Sequence, residues 1–364
     1  MLCSLCNREN RDGAKFCDTC GATLDATVVR GALDPELDAI RIAFDERYHV
    51  ESLLGRGGMG SVYKARERTL DRYVALKVIS HERSHDEHFI ERFRREARIS
   101  ARLRHPRIVS VHEVGQLGGF HYFSMDYIEG GTLRSVVQRR QGVSTEDAIT
   151  IVAEICRAVA HAHSKGIIHR DLKPENVMID NEGDVFVMDF GLARATEEKG
   201  LTRSGVVMGS PFYMSPEQLA GDGLDERTDL YSIGLILYYC LTGQDLFAAE
   251  SITGVIAKHH TTRVADVVRE HATLPPSLQE LIVSMLEEDR ERRARSAREI
   301  LERLTLRKIV ALGLAATGDA VETPTEVLSL ERSPQVTTVA PEDAKVAAAA
   351  ERRKARLRSL LDEM

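Results

Sequence analysis

Four thiols fall within the first 20 residues, as two Cys-x-x-Cys pairs, Cys3/Cys6 and Cys17/Cys20, separated by ten residues. Each pair suits a tight turn, and together they can set four thiolates around one tetrahedral metal ion. Gly21, directly after Cys20, suits a backbone that must pass through positive φ. So short a segment cannot bury enough apolar surface to fold alone, whereas a structural Zn²⁺ supplies an apparent ~10–16 kcal/mol. The competing chemistries are a pair of disulfides and a redox couple. An intracellular setting disfavours the first, and the lack of a βαβ pattern around either pair disfavours the second. The expectation is Zn²⁺ held by Cys3, Cys6, Cys17 and Cys20. Cys156 and Cys240 stand alone in apolar segments and read as small buried hydrophobes.

A second constellation is suited to phosphate. The run Leu-Leu-Gly-Arg-Gly-Gly-Met-Gly contains G-x-G-x-x-G at Gly55, Gly57 and Gly60. That spacing alone also occurs in dinucleotide sites, where the glycines open a helix. Here they are followed by Ser61-Val62-Tyr63-Lys64-Ala65, a turn near Leu70-Asp71, and Tyr73-Val74-Ala75-Leu76-Lys77-Val78-Ile79. Both flanks read as strands, so the glycines form a hairpin tip. Such a tip can lay peptide N–H groups over nucleotide phosphates, because no side chains obstruct the approach.

The rest of the chain must provide the elements that position these groups. With 364 residues, 43% hydrophobic and 29% charged, it can build one large or two ordinary domains. A formal net charge of -7 gives no general drive toward nucleic acid or anionic membrane. The longest apolar candidate, Ile309 to Ala316, is eight residues, far short of the ~20 a membrane span needs. The N-terminus lacks a signal-peptide pattern, so the expected location is cytoplasmic. Residues 25–43 read as an irregular linker, with a short helix around Pro35 to Phe44.

From Phe44 to Leu304 the chain resembles the eukaryotic-type (Hanks-type) protein kinase family, in its bacterial serine/threonine branch. The resemblance rests on the glycine run, on His169-Arg170-Asp171-Leu172-Lys173-Pro174-Glu175-Asn176, on Asp189-Phe190-Gly191 thirteen residues after Asn176, and on Ser215-Pro216-Glu217. It implies that Asp171 takes the proton of an acceptor hydroxyl, Lys173 steadies the transferred phosphoryl group, and Asn176 and Asp189 hold Mg²⁺. Lys77 would hold the ATP α- and β-phosphates with Glu96 as its partner, a residue that only the family pattern singles out on its charged helix. Val62 and Ala75 would help enclose the nucleotide, with Met125 as gatekeeper and Asp126 to Ile128 as the hinge offering backbone groups to adenine. Lys173 and the run Gly209-Ser210-Pro211-Phe212-Tyr213 place the likeness in the serine/threonine branch, although Ser210 stands where threonine is usual. Asp229 would brace the catalytic loop. Arg293 would pair with Glu217, despite the loss of both prolines from the usual pattern around it.

The implied fold is α+β and bilobal: a small, mostly antiparallel β lobe with one main helix, and a larger helical lobe, with ATP and Mg²⁺ between them. Residues 1–24 resemble the short zinc ribbons of bacterial signalling proteins, which implies a structural or docking role. The implied activity is phosphorylation of Ser and Thr hydroxyls of protein substrates. A pseudokinase-like scaffold would show damage at Lys77, Asp171 or Asp189, and none is damaged. A kinase regulated by metal at the ribbon is a compatible reading. Arg170, directly before Asp171, matches the family residue that couples the catalytic loop to a phosphorylated site between D-F-G and P-E. Thr202 and Ser204 are the favoured sites there, ahead of Thr196, so autophosphorylation is expected to activate the enzyme. Residues 305–344 read as a flexible Thr/Ser/Pro-containing linker, and phosphorylation of Thr323 and Thr325 would offer a peptide to phosphothreonine-binding domains. Residues 345–364 read as a basic amphipathic helix with Leu357, Leu360, Leu361 and Met364 on one face.

Overall fold

Alternating burial along three adjacent strands sets the architecture of the first lobe. β1 (Tyr48–Gly57), β2 (Gly60–Glu67), β3 (Arg72–Val78), β4 (Val111–Leu117) and β5 (Phe120–Asp126) form one antiparallel sheet in the order β1-β2-β3-β5-β4. Tyr63, Ala65, Val74, Leu76 and Val78 point to one face, and Val62, Ala75 and Ile79 to the other, as the two-residue strand period demands. Each face is covered by a helix. α2 (Glu87–Ser100) buries Phe89, Phe93 and Ala97 against Ala75, Ile79, Phe123 and Met125. Asp86 caps it, accepting from the Phe89 N–H at 3.2 Å.

The opposite face carries α1 (Pro35–Phe44), the short helix expected at these residues, which packs on the lobe beside its main helix α2. Asp34 at the N-cap and Pro35 at the first helical position start it, each satisfying the needs of an N-terminus. Ile40 and Phe44 are completely buried among Tyr48, Val50, Tyr63 and Tyr122. The Phe44 ring meets Tyr122 edge-on, with centroids 5.0 Å apart. Gly118 lets the β4–β5 turn approach the helix: its φ is +53°, and a Cβ there would stand 2.4 Å from the Ala43 Cβ. The segment expected as a linker is therefore, from residue 35 on, part of the folded lobe.

The second lobe is helical around a small antiparallel sheet of β6 (Gly130–Thr132), β7 (Val177–Asp180) and β8 (Val185–Val187). Its helices are α3 (Leu133–Arg140), α4 (Thr145–His163), α5 (Pro216–Ala220), α6 (Arg227–Thr242), α7 (Ile252–Thr261), α8 (Val264–Glu270), α9 (Pro276–Met285) and α10 (Ala297–Ala311). α6 is buried on all sides from Thr228 to Cys240 and forms the axis of the lobe. Cys156 and Cys240 are completely buried, and burial pushes both thiols up to about 12, so they act as packing groups.

This computed structural model describes residues 34–311 except 58–59, 80–83, 85, 191–210, 250 and 272–273. The four N-terminal cysteines, Gly191, Thr196, Thr202, Ser204, Gly209, Ser210, Thr323, Thr325 and the helix expected over 345–364 lie outside the described residues. Among the described residues no helix is long and apolar enough to cross a membrane.

Candidate active site

The glycine hairpin closes at the register pair Gly57–Gly60. Gly60 has a φ of +141°, and a Cβ there would stand 2.0 Å from the Val78 carbonyl oxygen, so the position admits only glycine. A Cβ on Gly55 would meet nothing within 4 Å. The space beside it is open for a ligand to approach the backbone. Beneath the hairpin, Val62, Ala75, Met125, Ile128 and Met188 line a common apolar patch. β5 ends at Asp126, whose carboxylate is turned aside to accept from the Ser110 N–H at 2.9 Å and to lie 3.0 Å from His112 Nε2.

Lys77 shares the inner face of β3 with Ala75. Its Nζ donates to Glu96 Oε1 at 3.0 Å and to Asp189 Oδ1 at 2.9 Å. Burial alone would lower the Lys77 pKa, but the carboxylates of Asp189 and Glu96 hold it above the usual lysine value. Burial raises the Glu96 carboxyl, and the Asp189 charge adds to this while Lys77 opposes it. Lys77 therefore keeps its proton and its positive charge in the cleft. Glu96 reaches this point because α2 presents Phe89, Phe93, Glu96, Ala97 and Ser100 on one face. Ser100 in turn donates to the Phe190 carbonyl at 3.2 Å, tying α2 to the segment after β8.

The loop before β7 brings three further groups together. Lys173 Nζ lies 3.0 and 2.8 Å from the two Asp171 carboxylate oxygens. The Asn176 amide NH₂ donates to the Asp171 carbonyl at 2.7 Å and to Oδ2 at 3.1 Å. The Met188 N–H donates to the Asn176 carbonyl at 3.0 Å, which brings Asp189 beside the loop. With its NH₂ spent on Asp171, Asn176 offers its amide oxygen as a cation ligand. Asp189 has one oxygen on Lys77 and offers the other. Hard oxygens of this kind suit Mg²⁺.

Two backbone positions here are strained. Arg170 and Asp189 have φ of 68° and 60°, a region non-glycine residues seldom enter. The reason for the first is Asp229, at the start of α6. Its carboxylate accepts from the His169 N–H and the Arg170 N–H, both at 2.8 Å, and from His163 Nε2 at 2.7 Å. Burial would raise its pKa, but these bonds and the neighbouring histidines bring it below the usual value. His169 completes the brace, with Nε2 2.9 Å from the Met188 carbonyl and its ring against Phe190.

The Arg293–Glu217 pair is present and bidentate, at 2.7 Å on each arm. Sequence reasoning missed several supporting residues. Gln218 donates to the Arg170 carbonyl at 2.7 Å. Arg134 on α3 reaches Glu175 and Asp245, both at 2.9 Å, and the Tyr213 hydroxyl at 3.3 Å. His163 had no signal beyond its place at the end of an apolar helix, and Arg134 looked like any surface arginine.

Known proteins resemble this chain over most of the described residues. The family model described as "Protein kinase domain" matches residues 48–304, and a zinc-ribbon domain model matches residues 2–24. Serine/threonine-protein kinase pkn3 of Myxococcus xanthus is 41% identical over 262 residues, which is 69% of this chain and 48% of that protein. PknB of Mycobacterium tuberculosis is 39% identical over 261 residues (70% of this chain, 42% of that protein). PrkC of Bacillus subtilis is 36% identical over 254 residues (70% and 39%). The chain thus spans less than half the length of these relatives. The solved PknI kinase domain of Mycobacterium tuberculosis has a TM-score of 0.55 and 26% identity, covering 72% of this chain and 95% of that one.

Proposed function

Because this chain belongs to the protein kinase domain family, we propose that it is a serine/threonine protein kinase, transferring the ATP γ-phosphoryl group to Ser and Thr hydroxyls of proteins. The observation that carries the reading is the convergence of Lys77, Glu96 and Asp189 with the Asp171–Lys173–Asn176 loop at one cleft. In this reading the backbone of Gly55, Gly57 and Gly60 covers the phosphates, Val62 and Ala75 enclose adenine, and Asp126 and Ile128 offer it backbone groups. Lys77 holds the α- and β-phosphates, and Glu96 keeps its ammonium in place. Asp171 receives the hydroxyl proton as the new O–P bond forms and the bond to ADP breaks. Lys173 offsets charge on the group in flight. Asn176 and Asp189 would hold Mg²⁺, which when bound offsets the phosphate charge. The protein acts in the cytoplasm on this reading.

Activation is proposed to run through Thr202 and Ser204, where an added phosphate can order the segment by charge-assisted hydrogen bonds. Full-length protein with ATP and Mg²⁺ should place phosphate on Ser and Thr. After phosphatase treatment it should start slowly and recover, and the Thr202→Ala/Ser204→Ala variant should stay slow. Wild-type speed from the first minute in that variant would overturn the switch, and phosphate appearing on neither Ser nor Thr would overturn the activity. Phosphate at Thr323 and Thr325 would extend the reading to phosphothreonine-binding partners.

The ribbon at Cys3, Cys6, Cys17 and Cys20 is proposed to hold one Zn²⁺, since four thiolates make a closed structural site. Elemental analysis of protein expressed under reducing, metal-replete conditions should find about one equivalent per chain. A content near zero would contradict the site.

A further inference from the structure

Arg56, between the first two glycines, points away from the nucleotide side of the sheet. Its cross-strand partner is Ser61. Val62, the next residue, lies on the inner face with Ala75, so strand alternation puts Ser61 and Arg56 on the outer one. There Arg56 meets the first turn of α1, with Nη2 2.6 Å from Asp34 Oδ2 and 3.3 Å from Glu36 Oε2. Asp34 uses its other oxygen to cap the helix, accepting from the Glu36 and Leu37 N–H groups at 3.2 and 3.3 Å. One carboxylate thereby joins the start of α1 to the glycine loop. Further along, Arg41 donates to the Val50 and Glu51 carbonyls at 3.1 and 2.7 Å, while Ile40 and Phe44 are locked in the core. The helix is fastened along β1 from its early residues to its tip.

We infer that α1 is a strut for the glycine-rich loop and that Asp34, Glu36 and Arg56 are positioning residues for ATP, an inference that rests on the kinase reading of the same cleft. A loop this rich in glycine loses much backbone freedom when it orders over phosphates. An anchor that holds it beforehand lowers that loss, and so strengthens ATP binding more than it speeds transfer. The pairs are half-exposed, which limits the effect: Arg56 is 46% exposed and Asp34 27%.

The test uses the full chain with Arg56→Gln, with Asp34→Asn/Glu36→Gln, and with all three changes. Asn still caps a helix, so the second variant removes charge and keeps α1. Each should raise the Kd for Mg·ADP by calorimetry, and the KM for ATP, about two- to fivefold, with kcat within about twofold. The triple variant should be no worse than the weaker of the other two, because all of the changes break the same two ion pairs, both made by Arg56. Unchanged Kd values, or losses that multiply in the triple variant, would overturn the strut. Wild type that binds Mg·ADP and transfers no phosphate would overturn the kinase reading instead, and leave the Kd comparison to decide the strut.

Discussion

Asp171→Asn should slow phosphoryl transfer by about 10²–10⁴-fold, the usual loss when a positioned base is removed. The side chains are nearly the same shape, so the surrounding contacts can survive. Asn keeps an oxygen for the Asn176 amide, now 3.1 Å from Oδ2, and the Asn176 bond to the Asp171 backbone carbonyl is untouched. The change removes the negative charge 2.8 Å from Lys173 and the ability to take a proton from an acceptor hydroxyl. On the proposed reading nucleotide binding rests on other residues, Lys77 and the glycine loop above all, so the Kd for Mg·ADP should stay close to wild type. Initial rates with labelled ATP, read beside thermal unfolding of the same samples, separate lost chemistry from lost fold. Equal rates in the two proteins would remove Asp171 from its proposed role.

Arg293→Ala should cost the fold about 3–5 kcal/mol, because it strands a buried carboxylate rather than removing a surface pair. Glu217 is 7% exposed and Arg293 is 3% exposed. Besides its two bonds to Glu217, Arg293 donates to the carbonyls of Glu287 at 2.6 Å, Glu288 at 3.1 Å and Arg227 at 3.3 Å, and stacks over Tyr231. Thr228 adds a bond to Glu217 at 2.9 Å but carries no charge. Burial pushes the Glu217 carboxyl up, and Arg293 more than offsets this, leaving it below the usual glutamate value. A folded-state pKa below the unfolded one means stability that is present above about pH 4.3 and lost as pH falls through the lower folded value. In the variant the Arg293 bonds and charge are gone. Burial, the largest influence, is then opposed only by Thr228 and a backbone hydrogen bond at Glu217 itself, so the folded pKa rises above the unfolded one and protonation favours the folded chain. The gap between the two proteins should therefore be widest near neutrality and narrow below about pH 5. Urea denaturation at pH 7 and pH 4.5 measures both. A midpoint at pH 7 equal to wild type would show that the pair contributes nothing net. Because Gln218, next to Glu217, holds the Arg170 carbonyl, the loosened α5 should also make the catalytic loop the first region to gain amide exchange.

What the sequence determined by itself is what a short stretch of backbone can enforce. Asp171, Lys173 and Asn176 meet because they lie within one tight loop, and Gly55, Gly57 and Gly60 because they share a hairpin tip. The Asp34-Pro35 start of α1 was likewise readable, since capping is a matter of adjacent residues. The glycine hairpin followed from strand-like runs on both sides of the glycines, and the antiparallel first lobe and bilobal plan from resemblance.

The tertiary structure decided which distant charges meet. Glu96 sits on a helix with charges on most faces, and only the packing of Phe89 and Phe93 turns it to Lys77, 19 residues away in sequence. Asp189 joins that pair across 112 residues. Nothing in the sequence indicates that α1 would cover the outer face of the sheet and hold Arg56 22 residues away, because the apolar face of a ten-residue helix does not specify what it packs against. The resemblance led to the expectation that Asp229 braces the catalytic loop, but not that it holds Arg170 in a left-handed conformation. Local spacing fixes groups that share a turn; a buried ion or a strained peptide exists only where the packed core supplies its partner, and that partner can lie anywhere in the chain.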